Sequence, residues 1–120
     1  MKDKYKLGID IIDEQHQKIF DLIEKLYENI DKKGLEIIIN ELKRYSLYHF
    51  ETEEKYFNNI NFKLAVEHTQ LHNIFIETID YYYENSEKLN KKKLYAFLQT
   101  WIKKHILIED KKYTLKENIE

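Results

Sequence analysis

The chain contains neither cysteine nor proline among its 120 residues, and only two glycines, Gly8 and Gly34. Without cysteine there can be no disulfide, thiolate zinc site, cysteine-ligated iron–sulfur cluster or cysteine nucleophile, so any bound metal must be held by nitrogen and oxygen. Without proline, and with so little glycine, helices lack their usual breakers and run until polarity or geometry stops them. Neither sign of charge is in surplus, since 20 Lys+Arg stand against 22 Asp+Glu for a formal net charge of -2. The basic footprint of a nucleic-acid binder is therefore missing. No apolar run approaches the roughly 18 residues of a membrane span. The N-terminal Met1-Lys2-Asp3-Lys4-Tyr5-Lys6-Leu7-Gly8 is charged where a signal peptide needs apolar residues. The expectation is a cytoplasmic protein without a nucleic-acid or membrane partner.

What is present is 42% hydrophobic and 14% aromatic residue content, too rich for a disordered chain and enough for one core. A single domain over 1–120 is expected. The apolar pattern follows a 3.6-residue period in four stretches. The first stripe is Ile12, His16, Ile19, Ile23, Leu26 and Ile30, with Gly34 as its expected helix stop. The second is Leu35, Ile38, Leu42, Tyr45, His49, Glu53, Tyr56 and Ile60, ending at Asn58-Asn59-Ile60-Asn61. The third is Leu64, His68, Leu71, His72, Phe75, Ile79 and Tyr82, fading into Glu84-Asn85-Ser86-Glu87-Lys88, and the fourth is Leu94, Leu98, Trp101, His105 and Ile108. These stripes predict helices over approximately 12–31, 35–57, 63–85 and 91–109. Short links favour antiparallel neighbours, so the expected fold is all-α, an up-down-up-down antiparallel four-helix bundle.

Lys91-Lys92-Lys93 opens the fourth helix against its dipole and is expected to be a solvated charge run. Tyr81-Tyr82-Tyr83 is expected to divide between core and boundary. The tail after Asp110 carries Tyr113, Leu115 and Ile119, which leaves docking and fraying both open.

Histidine and carboxylate occupy stripe positions that the pattern assigns to the core. One buried histidine is commonly no more than a hydrogen-bonded core residue. Here all five histidines, His16, His49, His68, His72 and His105, fall on inward stripes. Five unpartnered imidazoles in one small core would be expensive, so a shared partner is the simpler account. His49 and Glu53 are four apart, as are His68 and His72, which stacks each pair on one helix face. His105 and Asp110 are five apart and point about 140° away from each other on an ideal helix. Both face inward only if the last turn loosens through a π-bulge or an early helix end.

Five imidazoles and two carboxylates make seven donors, too many for one tetrahedral or octahedral ion. Two metals can share the set if both carboxylates bridge, and imidazole mixed with carboxylate suits iron better than zinc, copper or manganese. His68-Thr69-Gln70-Leu71-His72 has zinc-protease spacing without the glutamate that would act as base. The Glu-x-x-His motif of ferritin-like di-iron proteins is absent.

Four segments together resemble the hemerythrin family in its short bacterial form: Gly8-Ile9-Asp10-Ile11-Ile12-Asp13-Glu14-Gln15-His16, His49-Phe50-Glu51-Thr52-Glu53-Glu54, His68-x-x-x-His72 and Trp101-x-x-x-His105-x-x-x-x-Asp110. The resemblance implies two non-haem iron ions joined by an oxo or hydroxo bridge. His68, His72 and His105 would hold one iron, His16 and His49 the other, and Glu53 and Asp110 would bridge them. Dioxygen would bind at the two-histidine iron, which lacks a ligand. Phe50, Trp101 and Ile102 would line an apolar oxygen pocket without a general acid, and Asp13 would either orient an imidazole or serve as a helix-start carboxylate. Bacterial members commonly carry a tryptophan near the N-terminus and a proline before the third helix, where this chain has Tyr5 and no proline.

The leading functional expectation is a non-enzymatic protein that binds dioxygen reversibly for storage, delivery or scavenging, as a monomer or weak oligomer. The alternatives are a di-iron redox enzyme reducing peroxide, oxygen or nitric oxide, with Tyr45 or Tyr48 as proton donor, an oxygen sensor, and an iron store.

Overall fold

The four stripes form four helices in the computed structural model, which describes residues 1–28, 31–85 and 90–120. We label them α1 (Asp10–Glu24), α2 (Lys32–Ile60), α3 (Ala65–Glu84) and α4 (Lys91–Lys104). No strand occurs among the described residues, and the fold is the all-α four-helix bundle expected. α1 stops seven residues before the expected end at 31 and continues only as a 3-10 turn, Lys25–Tyr27. Ile30 and Ser86-Glu87-Lys88 lie outside the described residues.

α2 begins before Gly34, not after it, because the Asp31 side chain accepts the Gly34 N–H at 2.7 Å and caps the first turn. Gly34 is thus the third residue of α2 and not a helix stop. At the far end α2 runs past the expected 57 to Ile60, where Asn61 takes a left-handed conformation, φ 52°, and Phe62 N–H closes on the Phe57 carbonyl at 3.0 Å. Its 29 residues span about 44 Å at 1.5 Å each, close to the 48 Å long axis of the molecule. The inward face of α2 is centred one residue from the expected stripe: Ile39, Ser46 and Phe57 are buried, whereas Ile38, Tyr45 and Tyr56 are only half-buried. Ser46 carries no apolar signal, so the pattern favoured its neighbour.

Contacts between helices fix the antiparallel order. Gln15 of α1 meets Thr52 and His49 of α2, Glu54 of α2 meets His72 of α3, and Glu24 of α1 meets Tyr95 and Gln99 of α4. Two apolar clusters result. The larger holds Ile19, Leu42, Phe50, Phe75, Leu98, Ile102 and Ile106, together with Tyr5, which packs on Phe20 with ring centroids 5.5 Å apart. The smaller holds Ile12, Phe57, Phe62 and Tyr113. The six polar stripe residues and Asp110 occupy the level between them.

After Lys104 the chain loosens into a π-helical turn, His105–Glu109, and then a 3-10 turn, Asp110–Thr114. The wider turn brings Asp110 inward with His105 and rotates Ile108 out to 56% exposure, so Ile106 takes the core position expected of Ile108. The tail docks. Tyr113 is fully buried, Ile119 forms an isolated antiparallel bridge with Phe62, and Lys63 N–H donates to the Asn118 carbonyl at 2.8 Å. Lys91 is held by the Glu28 carbonyl, while Lys92 and Lys93 face solvent. Tyr82 is half-buried between exposed Tyr81 and Tyr83. Among the described residues no helix is long and apolar enough to cross a membrane.

Candidate metal centre

All seven side chains singled out from the sequence converge between the two clusters, and each is at least 95% buried. α1 supplies His16, α2 supplies His49 and Glu53, and α3 supplies His68 and His72 one turn apart. The π-turn supplies His105, and the following 3-10 turn supplies Asp110. Two donor groups have all their ligand atoms within 4.8 Å of one another: Glu53 with His68, His72 and His105, and Glu53 with His16 and His49. Asp110 joins the same two groups, with Oδ1 3.0 and 3.1 Å from Nε2 of His68 and His105, and Oδ2 3.2 Å from His16 Nε2. Glu53 Oε1 lies 3.2 Å from His49 Nε2 and 3.1 Å from His72 Nε2.

These short distances are not hydrogen bonds. His16 Nε2, His72 Nε2, Glu53 Oε1 and both Asp110 oxygens are buried, yet none has a hydrogen-bond partner. Nε2 of His68 and His105 face each other at 3.1 Å, a contact that needs a proton on one ring or a cation between them. Buried lone pairs that crowd together without bonding to each other are the arrangement a shared cation completes, so the donor set fits metal. Imidazole with carboxylate is also the set that suits iron.

The outer contacts orient the rings. His49 Nδ1 meets Gln15 Oε1 at 2.8 Å, and His72 Nδ1 meets Glu54 Oε2 at 3.0 Å, which leaves Nε2 of each ring for the centre. Tyr113 donates its hydroxyl to Glu53 Oε2 at 2.6 Å. Gln15, Glu54 and Tyr113 were not singled out from the sequence. Glu54 and Gln15 adjoin Glu53 and His16 in the chain, and Tyr113 lies three residues after Asp110, but their partners sit on other elements, which no single-chain periodicity reveals. Asp13 does not orient an imidazole: its carboxylate accepts the N–H groups of Leu7 at 2.8 Å and Gly8 at 3.1 Å. It thereby holds Gly8 at φ 85°, a conformation suited to glycine.

Phe50 stacks on His72 with ring centroids 3.8 Å apart, Trp101 stacks on His105 at 4.3 Å, and Ile102 is buried beside them. Both stacked rings thus cover the three-histidine group. Trp101 and His105 also border a surface hollow of about 540 Å³ with Leu71, Phe97 and Ile108. Tyr48 is 55% exposed and Tyr45 lines an outer hollow with Lys18 and Arg44, so neither reaches the donor cluster.

Without metal, the two carboxylates remain ionised. Burial pushes Asp110 upward, but the charge and contact of His105, with His16 and His68, hold it well below the usual carboxylate range. Burial and the Asp110 charge push Glu53 upward, and His49 and His72 overcome both to lower it. Burial lowers His72, yet Glu53 and Glu54 lift it to about 9. Burial likewise lowers His16, and Asp110 reverses this to a net rise, whereas for His49 burial prevails and its pKa falls. Burial, followed by the charges of Glu53 and Asp110, holds the Tyr113 proton firmly, with a pKa well above 10.0.

Fold and site together define a helical bundle built to bind cations through buried histidine and carboxylate. The model of the hemerythrin HHE cation binding domain matches residues 7–114, and the chain belongs to the hemerythrin family. It is 36% identical to a bacteriohemerythrin of Clostridium acetobutylicum, across 93% of this chain and 95% of that protein. A bacteriohemerythrin of Stenotrophomonas maltophilia is 25% identical over 93% of this chain and 76% of its own length. One from Campylobacter jejuni is 29% identical over 86% and 83% respectively.

Proposed function

We propose that the chain binds dioxygen reversibly at a pair of non-haem iron ions, without turnover of a substrate. The observation that carries this reading is the asymmetry of the donor set: three histidines on one side and two on the other, with Glu53 and Asp110 reaching both. His68, His72 and His105 would hold one ion, His16 and His49 the other, and the four-donor side has room for an exogenous ligand. Held in this way, two ferrous ions would supply the two electrons that reversible oxygen binding borrows and returns, and an oxo or hydroxo bridge would complete the pair.

The residues of this chain favour return over consumption. Phe50 and Trp101 cover His72 and His105 with apolar surface, Ile102 is buried, and the phenol bonded to Glu53, Tyr113, keeps its proton. Of the expected proton donors for an enzyme, Tyr48 is exposed and half-buried Tyr45 lines the same outer hollow beside Lys18 and Arg44. A protein that cleaved the O–O bond would need an acid at the open site. The test is to reduce the iron-loaded protein without oxygen, expose it to air and return it to low oxygen while recording the visible spectrum. A band that forms and disappears with unchanged iron content is expected. Irreversible oxidation, or catalytic loss of added peroxide or nitric oxide, would replace this reading with the redox enzyme.

A further inference from the structure

Both carboxylates approach the centre from one end of the bundle. Glu53 lies four residues beyond His49 toward Phe57, and Asp110 five beyond His105 toward Tyr113. Toward the other end, one buried residue of each helix lies three positions from a histidine of the cluster: Ile19, Ser46, Phe75 and Ile102, all between 0% and 2% exposed. Ser46 is the only polar member of this layer. It is fully buried, and its Oγ has no hydrogen-bond partner.

A hydroxyl inside a helix ordinarily donates to the carbonyl four residues back or faces water. Thr52 in α2 and Thr78 in α3 do the former, bonding the carbonyls of Tyr48 at 3.1 Å and Ile74 at 2.8 Å. Ser46 does neither, so the folded chain carries an unpaired buried donor, which destabilises it unless another group completes the bond. Side chains on a helix lean toward its N-terminus, so the His49 imidazole lies over the turn that contains Ser46. Ser46 thus lies three residues before His49 on the buried face of α2, on the side of the centre opposite the two carboxylates.

We propose that Ser46 Oγ–H is the hydrogen-bond donor for a small exogenous ligand, dioxygen or a small anion, taken up on the two-histidine side. The proposal rests on the di-iron reading. Within an otherwise apolar layer, Ser46 would favour ligands that accept a hydrogen bond and lengthen their residence, without supplying the mobile proton that O–O cleavage requires.

Azide is the probe. Ser46→Ala and Ser46→Thr are loaded with iron, oxidised to the diferric state and titrated with azide by visible absorption, alongside iron analysis and melting of the metal-free chains. Ser46→Ala is expected to keep the iron content of the unsubstituted protein and to bind azide about fivefold to tenfold more weakly. Ser46→Thr, which keeps the hydroxyl, is expected to restore affinity. Metal-free Ser46→Ala is expected to melt no lower than the unsubstituted chain, because no bond is removed. Unchanged azide affinity at full iron content would overturn the proposal, as would a lower melting temperature, which marks the hydroxyl as structural. An unsubstituted chain that fails to load two irons contradicts the di-iron reading itself.

Discussion

Glu53 divides its two oxygens between the centre and the tail. Oε1 lies beside His49 and His72, while Oε2 accepts from Tyr113. Tyr113→Phe removes the donor and leaves Oε2 buried without it, so we expect a loss of about 1–3 kcal/mol in denaturant unfolding of the metal-free chain. Iron content should stay near normal, because no ligand atom changes. Asp110→Ala removes contacts to both donor groups at once and is expected to lose iron and stability together, by metal analysis and thermal melting. Ile102→Glu places a carboxyl in the apolar layer. It should leave iron in place and shorten the life of the oxygenated band in a stopped-flow trace, and an unchanged lifetime would remove Ile102 from the pocket. The six polar stripe residues are legible because each breaks an apolar period at a core position, whereas Asp110 lies on no stripe and is legible only from its five-residue spacing to His105. Gln15 and Glu54 were not, since each looks like an ordinary surface residue until its partner on another helix is known.

The element that most affects the site is the π-helical turn His105–Glu109. The five-residue spacing from His105 to Asp110 already required a loosened turn, because an unbroken α-helix would point the two about 140° apart. The outward rotation of Ile108 is not legible in the sequence, because an α-helical period does not carry through the π-helical turn. The spacing suggests a paired test. Deleting exposed Ile108 leaves Asp110 four residues from His105, about 40° apart on a regular helix, so iron binding should survive. Inserting one alanine after Ile108 moves Asp110 away from the centre and should abolish it. Iron analysis of the two variants distinguishes this account from one in which the turn merely tolerates any length. The start of α2 has a simpler logic. Gly34 looked like a stop because glycine usually is one, but the Asp31 cap three residues earlier determines where the helix begins.

Across the whole molecule, the histidine–carboxylate level separates two apolar clusters, and the tail closes the smaller one through Tyr113 and the Phe62–Ile119 bridge. Docking of the tail was not decidable from composition, because its few apolar residues are spread among lysine and glutamate. In the metal-free chain Glu53 and Asp110 attract the protonated forms of His72 and His16, whose pKa values are raised. His72 at about 9, against 6.5 when unfolded, contributes stability that is complete below 6.5 and is lost as pH rises through about 9. Glu53 and Asp110, both lowered, contribute above their ordinary values of 4.5 and 3.8 and lose that contribution as pH falls further. The chelated protein should therefore melt highest at mildly acid pH. Metal needs the imidazoles deprotonated, so the gap in melting temperature between iron-loaded and chelated protein should widen as pH rises toward 9.

On the di-iron reading, seven residues of one chain hold two iron ions. The decisive experiment is anaerobic titration of ferrous iron into the chelated protein, followed to saturation with the metal counted per folded chain. Saturation at two irons per chain is expected, and a stoichiometry of one or none would overturn the di-iron reading.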